Sequence, residues 1–285
     1  MSGFKLQMIN HDFYGGYVNA FVLETEHFVF LIDDAVSGAK PAVCNALEET
    51  GWKNKKVIVL NTHAHWDHTS LNGYLKEQYG ATILAHPKAE GLCDREKQYE
   101  VVYGRYSDFS PGKGVVYWEE FKYPAAPDDF LCGGECFEDD GFKLHVIATP
   151  GHSDDSLSFY EENTGLLFAG DAVQGCGFDG NAPYYCNAED YITSLKKLLL
   201  LKPQSVFCGH GMVQGETESD AYLKLSIETF ETIDAAVCAA VKAAAPDAQL
   251  FPALATDLAK QLGYPDTMHI HSTVEAHAAR VQTAE

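Results

Sequence analysis

Short apolar runs alternate with amphipathic stretches along most of the chain. Residues 18–23 and 27–32 are rich in β-branched and aromatic side chains and flank a polar turn, which is typical of paired strands. Later apolar runs of strand length are followed by stretches in which apolar residues recur at helical spacing. This pattern predicts a layered α/β chain with sheets inside and helices outside.

The predicted elements follow from these two periods and from the turn residues between them. The predicted strands cover 4–33 as a group, 57–60, 82–85, 142–148, 157–160, 166–169 and 205–208. The predicted helices cover about 40–49, 71–79, 188–201, 219–245, 252–262 and a segment after residue 272. Ser272 and Glu275 have the spacing of a capping box, which predicts a helix start at Ser272.

Residues 88–130 interrupt this alternation with aromatic residues among proline and glycine. The aromatic positions are Tyr99, Tyr103, Tyr106, Phe109, Tyr117, Trp118, Phe121, Tyr123 and Phe130. Two interpretations stay open: the rings pack this insertion onto the domain, or one or two of them form a wall over a substrate pocket. The sequence predicts a first domain over 1–215 that contains the insertion.

The tail over 216–285 is predicted to be a helical C-terminal extension packed on that domain. Its apolar positions at helix-like spacing are Tyr222, Leu225, Ile233 and Val237. Packing on the core is favoured over the alternative, a homodimer contact. His269 and His271 look like a ligand pair, but nothing near them in sequence completes a site, so we expect surface or lid positions.

Composition and charge exclude some classes of partner. The chain has 285 residues, of which 46% are apolar, and a formal charge of −21 with a pI near 4.8. Nucleic-acid backbones and anionic membranes are bound by clustered lysine and arginine, so neither is an expected partner. A small-molecule substrate is expected instead.

The eight cysteines and the first residues indicate a reducing compartment. No signal-peptide pattern or membrane-length apolar run is visible, so we expect a cytoplasmic protein with reduced thiols. Cys132 and Cys136 lack a second pair at zinc-ribbon spacing and are expected to be structural, in or near a hairpin. Cys208 is expected to be a buried strand residue rather than a metal ligand.

A cluster of metal-ligand residue types follows the apolar run at 56–60. His63 and His65 are two positions apart, so in an extended segment both side chains point the same way. Asp67 and His68 are adjacent and diverge unless a turn or a helix start re-aims them. This spacing suggests two groups of ligands and two metals, with a histidine-rich polar loop as the alternative.

Three further strand ends carry residues of the same types. His152, Asp171 and His210 each follow an apolar strand and lie beside a glycine, where a tight turn exposes the side chain. A lone histidine at a strand end is more often structural than a ligand. Together with the first cluster, however, the three complete a set of five histidines and two aspartates.

In this order the seven residues resemble the metallo-β-lactamase-fold superfamily, in the dinuclear hydrolase branch that includes glyoxalase II-like enzymes. The resemblance covers about residues 10–215 and implies a four-layer αββα sandwich. It implies one metal held by His63, His65 and His152, a second held by Asp67, His68 and His210, and Asp171 as the bridge between them.

The resemblance implies hydrolytic chemistry. Two metals about 3.5–4 Å apart share a hydroxide of lowered pKa that attacks a carbonyl. Asp67 is the expected catalytic residue, because its carboxylate can orient that hydroxide. Asp33 is expected either to hold a ligand imidazole or to be a simple turn residue. Zinc is the favoured metal, and iron and manganese members share the same ligand set.

Three individual positions narrow the choice among the activities found in this superfamily. Asp171 disfavours antibiotic hydrolysis, because the true β-lactamases of the superfamily lack a bridging carboxylate there. His65 disfavours oxygen reduction, because flavodiiron members have glutamate at that position. Gln174 stands where the lactonases have a catalytic tyrosine, which disfavours a lactonase. Tyr184 or Tyr185 nevertheless remains a candidate to reach the site.

These observations predict hydrolysis of a thioester or other activated ester of a small molecule. The alternatives are a lactonase, or a metal-bearing binding or effector protein with little turnover. Glyoxalase II uses basic residues of its C-terminal part to hold glutathione, and this tail offers few of them. They are Lys224, Lys242, Lys260 and Arg280.

Overall fold

A computed structural model describes residues 3–13, 16–104, 113–178, 180–243 and 251–283. Within this part of the chain lie two six-stranded mixed sheets and nine α-helices. Tyr106, Phe109 and residues 244–245 of one predicted helix lie outside the described residues, as does the side chain of Tyr103.

The first sheet is built in chain order. Its strands are β1 Lys5–Phe13, β2 Gly16–Glu24, β3 Phe28–Ile32, β4 Lys56–Leu60, β5 Thr82–Ala85 and β6 Asp129–Phe130. Strands β1 to β3 pair antiparallel, whereas β3 to β6 pair parallel. Parallel strands need crossover connections, and these run through helices and the insertion.

The second sheet contains the later strands, which are also neighbours in chain order from β7 at one edge to β12 at the other. They are β7 Cys136–Asp139, β8 Phe142–Ala148, β9 Leu157–Glu161, β10 Leu166–Gly170, β11 Ser205–Cys208 and β12 Gly211–Gln214. Only β10 and β11 pair parallel, because helix α6 connects them. Short edge strands β7 and β12, which the sequence pattern does not predict, add one antiparallel partner at each side.

The helices lie mostly where the sequence predicts them. They are α1 Lys40–Glu48, α2 Trp66–Thr69, α3 Asn72–Tyr79, α4 Arg95–Tyr99, α5 Lys113–Glu120, α6 Ala188–Leu199, α7 Glu216–Ala243, α8 Phe251–Leu262 and α9 Met268–Thr283. The capping-box prediction is wrong: α9 begins four residues before Ser272, whose hydroxyl donates to the Tyr185 carbonyl instead. No helix among the described residues is long and apolar enough to cross a membrane.

Alternating side chains divide the core into layers. In β3, Phe30 and Ile32 face the second sheet, while Val29 and Leu31 pack against helices on the outer side. This is the period-two alternation of a strand that is buried on both faces. A third apolar cluster lies between the second sheet and helices α6 and α7. The predicted αββα sandwich is thereby confirmed.

The extension from α7 to α9 has an apolar cluster of its own. Ile233 and Val237 are buried in it, whereas Leu225 is 40% exposed. Other residues of the extension join the cluster on the second sheet, including Leu223 and Phe230. The boundary at residue 215 stays a prediction, and it falls between β12 and α7.

Candidate metal centre

The ends of four strands bring the seven predicted residues together. His63 and His65 lie in the extended segment after β4, and the start of α2 re-aims Asp67 and His68. His152, Asp171 and His210 follow β8, β10 and β11 respectively. Their ligand atoms fall into overlapping groups within 4.8 Å of one another. Their role as metal ligands stays a prediction.

The first group is a triangle of ring nitrogens. The Nε2 atoms of His63 and His152 are 3.1 Å apart, and each lies 3.0 Å from Nδ1 of His65. Ligand nitrogens around a tetrahedral zinc ion are about 3.3 Å apart. One cation facing all three nitrogens would satisfy them together, so the triangle fits a metal.

The second group contains Asp67, His68 and His210. Oδ2 of Asp67 lies 3.3 Å from Nε2 of His210 and 3.8 Å from Nε2 of His68. A carboxylate and two imidazoles form a donor set suited to zinc, iron or manganese.

Asp171 lies between the two groups. Its Oδ2 is 3.5 Å from Nε2 of His152 and 3.5 Å from Nε2 of His210. Its Oδ1 and Nε2 of His68 are buried atoms without a hydrogen-bond partner. Buried polar atoms without partners are rare and costly, and a bound ion would satisfy both. The donor set therefore fits two metals with Asp171 in the bridging position.

Asp33 holds the imidazole of His68, a candidate ligand, as one of the two sequence interpretations proposes. Its Oδ2 accepts a hydrogen bond from Nδ1 of His68 over 2.8 Å, which directs the Nε2 of His68 toward the centre. Both carboxylate oxygens also accept from Thr62, through its backbone N–H and its hydroxyl. The residue adopts a left-handed φ of 55°, which aspartate tolerates better than most residues.

Backbone carbonyls orient two further imidazoles. Nδ1 of His152 lies 2.8 Å from the Tyr184 carbonyl, and Nδ1 of His210 lies 2.7 Å from the Tyr17 carbonyl. An imidazole that donates from Nδ1 keeps the Nε2 lone pair for a metal. Both rings are therefore held in the ligand orientation by the fold itself.

Burial and charge set the protonation of the five rings. Burial lowers the pKa of His63, and it lowers the pKa of His65 and of His152 to about 4. Burial by itself would also lower the pKa of the other two rings. The neighbouring carboxylates outweigh it there, raising the pKa of His210 to about 10 and that of His68 as well. The three imidazoles of the first group are thus neutral, and each has a ring nitrogen lone pair that can bind a cation.

Gly209 leaves room for the cluster. A Cβ at this position would lie 2.3 Å from Oδ1 of Asp171 and 2.4 Å from Cε1 of His68. Both distances are far below van der Waals contact. The glycine beside His210 is therefore required by the close approach of the backbone to the ligands.

Two residues that the sequence does not single out hold the peptide between His63 and His65. The N–H of Ala64 donates to Oδ2 of Asp155 over 2.7 Å, and its carbonyl accepts from Nε2 of Gln98 over 2.6 Å. Both side chains are buried. Gln98 lies in α4 of the insertion, so the insertion contacts the centre through a hydrogen bond.

Two aromatic rings that lie beside the ligand groups come from the loop that precedes α6. The ring centroid of Tyr184 lies 5.3 Å from that of His152, and Phe178 lies 5.0 Å from His210. Tyr185, the other candidate, is buried against Tyr191 instead. In the insertion, Tyr117 and Phe121 join the core cluster of the first sheet, which is the packing interpretation.

The remaining histidine and cysteine candidates lie in different surroundings. The expectation for His271 is wrong: it is buried and paired with Asp266 at 2.7 Å, because α9 turns it into the protein. The ring of His269 is half-buried, with its centroid 5.6 Å from that of Tyr184 and its plane tilted by 58°. Cys208 is buried in β11, as expected. Cys132 and Cys136 are exposed free thiols; Cys136 is the first residue of β7 in the β7–β8 hairpin, and Cys132 precedes that strand.

Comparison with known proteins gives a consistent result. The profile of the family described as the metallo-beta-lactamase superfamily matches residues 13–210. A hydroxyacylglutathione hydrolase from Chelativorans sp. (strain BNC1) is 27% identical over 222 residues, covering 74% of this chain and 71% of that protein. The corresponding hydrolase from Brucella anthropi is 29% identical over 224 residues, covering 74% and 70%.

Solved structures agree with the fold. A metallo-beta-lactamase family protein from Thermus thermophilus has a TM-score of 0.75 at 23% identity, covering 98% of this chain and 93% of that one. A beta-lactamase domain protein from Burkholderia ambifaria has a TM-score of 0.69 at 18% identity, covering 99% and 86%. At these identities the likeness concerns the fold alone.

Proposed function

The chain belongs to the metallo-beta-lactamase superfamily, and from this premise we propose a dinuclear metal-dependent hydrolase of thioesters or other activated esters of small molecules. The observation that carries the proposal is the pair of ligand groups that share Asp171. Two divalent ions, when bound, supply a Lewis acid for a carbonyl oxygen and lower the pKa of a water. Zinc is the favoured ion.

The protein's own residues supply orientation. Nearby imidazoles outweigh burial and lower the pKa of Asp67, so its carboxylate is ionised and can accept a hydrogen bond from the attacking water. Asp33 and the Tyr17 and Tyr184 carbonyls keep the rings of three ligands from rotating. Such preorganisation leaves little to rearrange during the reaction.

Three observations bear on the substrate. Phe178 and Tyr184 place aromatic surface beside the two ligand groups, which suits an apolar acyl or ring group. The relatives named hydroxyacylglutathione hydrolase support a thioester. Two of the few basic residues of the extension, Lys224 and Arg280, are paired with acids of this chain. We therefore propose a thioester with a less anionic thiol than glutathione.

Metal analysis joined to a substrate panel tests the proposal. Protein purified without added metal is expected to contain two ions and to hydrolyse acyl thioesters or aryl esters in a chelator-sensitive manner. Lactones and glutathione thioesters complete the panel. Two ions with negligible turnover and tight retention of a small molecule would identify a binding protein instead.

The Asp171→Ala variant tests the bridge. It is expected to lose at least one ion and most activity, because one carboxylate faces both groups. Asp154→Ala is the matched control, since that carboxylate is 65% exposed and pairs only loosely with Lys88, at 3.6 Å. Two ions per chain and normal turnover in the Asp171 variant would refute the bridging role.

A further inference from the structure

We propose that helix α9 of the C-terminal extension positions the metal ligand His152 by gripping the segment 182–185, whose Tyr184 carbonyl orients that imidazole. The inference rests on the proposed metal centre. It assigns Ser272, Thr273 and His277 as positioning residues, which act on the centre without touching it.

Two hydroxyl groups of α9 hold the carbonyls of Pro183 and Tyr185, the residues on either side of Tyr184. The hydroxyl of Thr273 donates to the Pro183 carbonyl over 2.5 Å, and that of Ser272 donates to the Tyr185 carbonyl over 3.2 Å. Both side chains are buried, at 0% and 4% exposure. A buried carbonyl that loses its hydrogen-bond donor is left with the full free-energy cost of its desolvation. Breaking either of these two bonds is therefore unfavourable.

A third contact fixes the side chain of Tyr185. Its hydroxyl lies 2.6 Å from Nε2 of His277, and Nδ1 of the same ring lies 2.8 Å from Oδ1 of Asp234 in α7. Arg280 donates to the same carboxylate oxygen over 2.7 Å. Tyr185 and His277 are both fully buried, so this chain of bonds ties α7, α9 and the segment together.

These contacts fix the position of the Tyr184 carbonyl, which in turn orients His152. The Tyr184 carbonyl, between the two anchored peptides, lies 2.8 Å from Nδ1 of His152 and also accepts from Nε2 of Gln174 over 2.7 Å. Gln174 accepts in turn from the Tyr184 N–H. Because its neighbours in sequence are fixed by α9, this carbonyl holds one position, and the imidazole is aimed at the first group of ligands.

The Ser272→Ala, Thr273→Val double variant in the full-length protein tests this role. After loading with zinc, release into excess chromogenic chelator is followed, and the two phases are assigned with His63→Ala and His210→Ala proteins. Loss of outer-shell partners lowers metal affinity about 10- to 100-fold. Because these residues act through one intervening peptide, we expect release from the first group to accelerate about tenfold.

Release from the group of Asp67, His68 and His210 is expected to stay unchanged, which a merely structural role of α9 would not give. Ser272→Ala, Thr273→Ser keeps one hydroxyl and is expected to restore most of the wild-type rate. Thr232→Val removes a similar bond, from Thr232 to the Glu228 carbonyl on the exposed face of α7, and serves as the matched control.

The outcomes separate the possible failures. Unchanged first-group release, or equal acceleration of both phases, would overturn the positioning role while leaving the metal centre intact. A wild-type protein that takes up no ion would refute the metal centre and this role with it. If the double variant does not fold by circular dichroism, Ser272→Ala alone is measured against the same criteria.

Discussion

At the scale of single residues, burial and neighbouring charge divide the five ligand imidazoles into two classes. His65 and His152, whose pKa burial lowers to about 4, are neutral imidazoles at neutral pH, each with one ring nitrogen free of a proton. His210, whose pKa nearby carboxylates raise to about 10 against the effect of burial, is an imidazolium with both ring nitrogens protonated in the metal-free protein. An ion entering the second group must therefore displace protons, whereas one entering the first need not.

This difference predicts a pH order of metal loss. As pH falls from about 8 to about 5, protons compete increasingly for the second group, while His65 and His152 of the first group stay neutral until pH approaches their pKa of about 4. We expect the ion at Asp67, His68 and His210 to leave first. Metal content after dialysis at a series of pH values, compared with His210→Ala protein, measures this. Loss of both ions together would contradict the assignment.

The Gly209→Ala substitution is expected to disrupt both groups. Its Cβ would press on Asp171, which faces both, and on His68. Metal content should fall below one ion per chain. Gly211→Ala is a matched control on the other side of His210, because the nearest atom to its Cβ is the Tyr222 hydroxyl at 3.7 Å. Normal metal content in Gly209→Ala protein would show that the backbone shifts to make room.

At the scale of elements, the insertion has a role beyond covering the domain. Gln98 of α4 donates to the carbonyls of Ala64 and Leu92, and so links the insertion to the ligand loop. The Gln98→Leu substitution removes both donors and leaves the buried Ala64 carbonyl without its partner. Such losses cost about 1–3 kcal/mol.

We therefore expect Gln98→Leu to lower the free energy of unfolding by about that amount and to weaken metal binding at His63 and His65. Urea unfolding and zinc titration measure the two effects. Gln7→Leu is the control, since its side chain makes only an exposed contact of 3.3 Å with Glu49. Unfolding and zinc affinity equal to those of the wild type would mean that water replaces the Gln98 donor.

Elements with a strong local pattern were predictable, and those fixed by distant contacts were not. Strand β4 and helix α6 follow from apolar periodicity alone. Edge strands β7 and β12 alternate between exposed and half-buried residues, so they lack an apolar run that would reveal them. Ser272 has capping-box spacing, yet its hydroxyl bonds a carbonyl 87 residues away.

The same division applies to the candidate site. Its seven ligand residues could be named because their types and the glycines beside them are visible locally. Gln98 and Asp155 could not, because each contacts the centre through a bond between distant parts of the chain. Tyr184 was a candidate for its aromatic side chain, but the contact of its carbonyl with His152 required the fold. Asp33 is intermediate: its place after β3 was visible, but the bond to His68 required the fold.

At the scale of the whole molecule, the formal charge of −21 acts on any charged substrate. A field of this sign opposes the approach of anions and is screened by salt beyond about 10 Å at 0.1 M. We expect kcat/KM for an anionic thioester to rise about 2- to 5-fold from low to moderate salt. A neutral ester of the same acyl group is the control and should change little. A fall for the anionic substrate would indicate a local basic patch.

The two sheets meet at the ligands, and this has a consequence for how the protein is made. His63, His65, Asp67 and His68 belong to the first half of the chain, while His152, Asp171 and His210 come later. A ribosome-bound chain therefore cannot complete either group from its first sheet. The first group becomes complete with His152, and the second only with His210, 58 residues on. At about 5–20 residues per second, the growing chain can offer one finished site for about 3–12 s before the other exists.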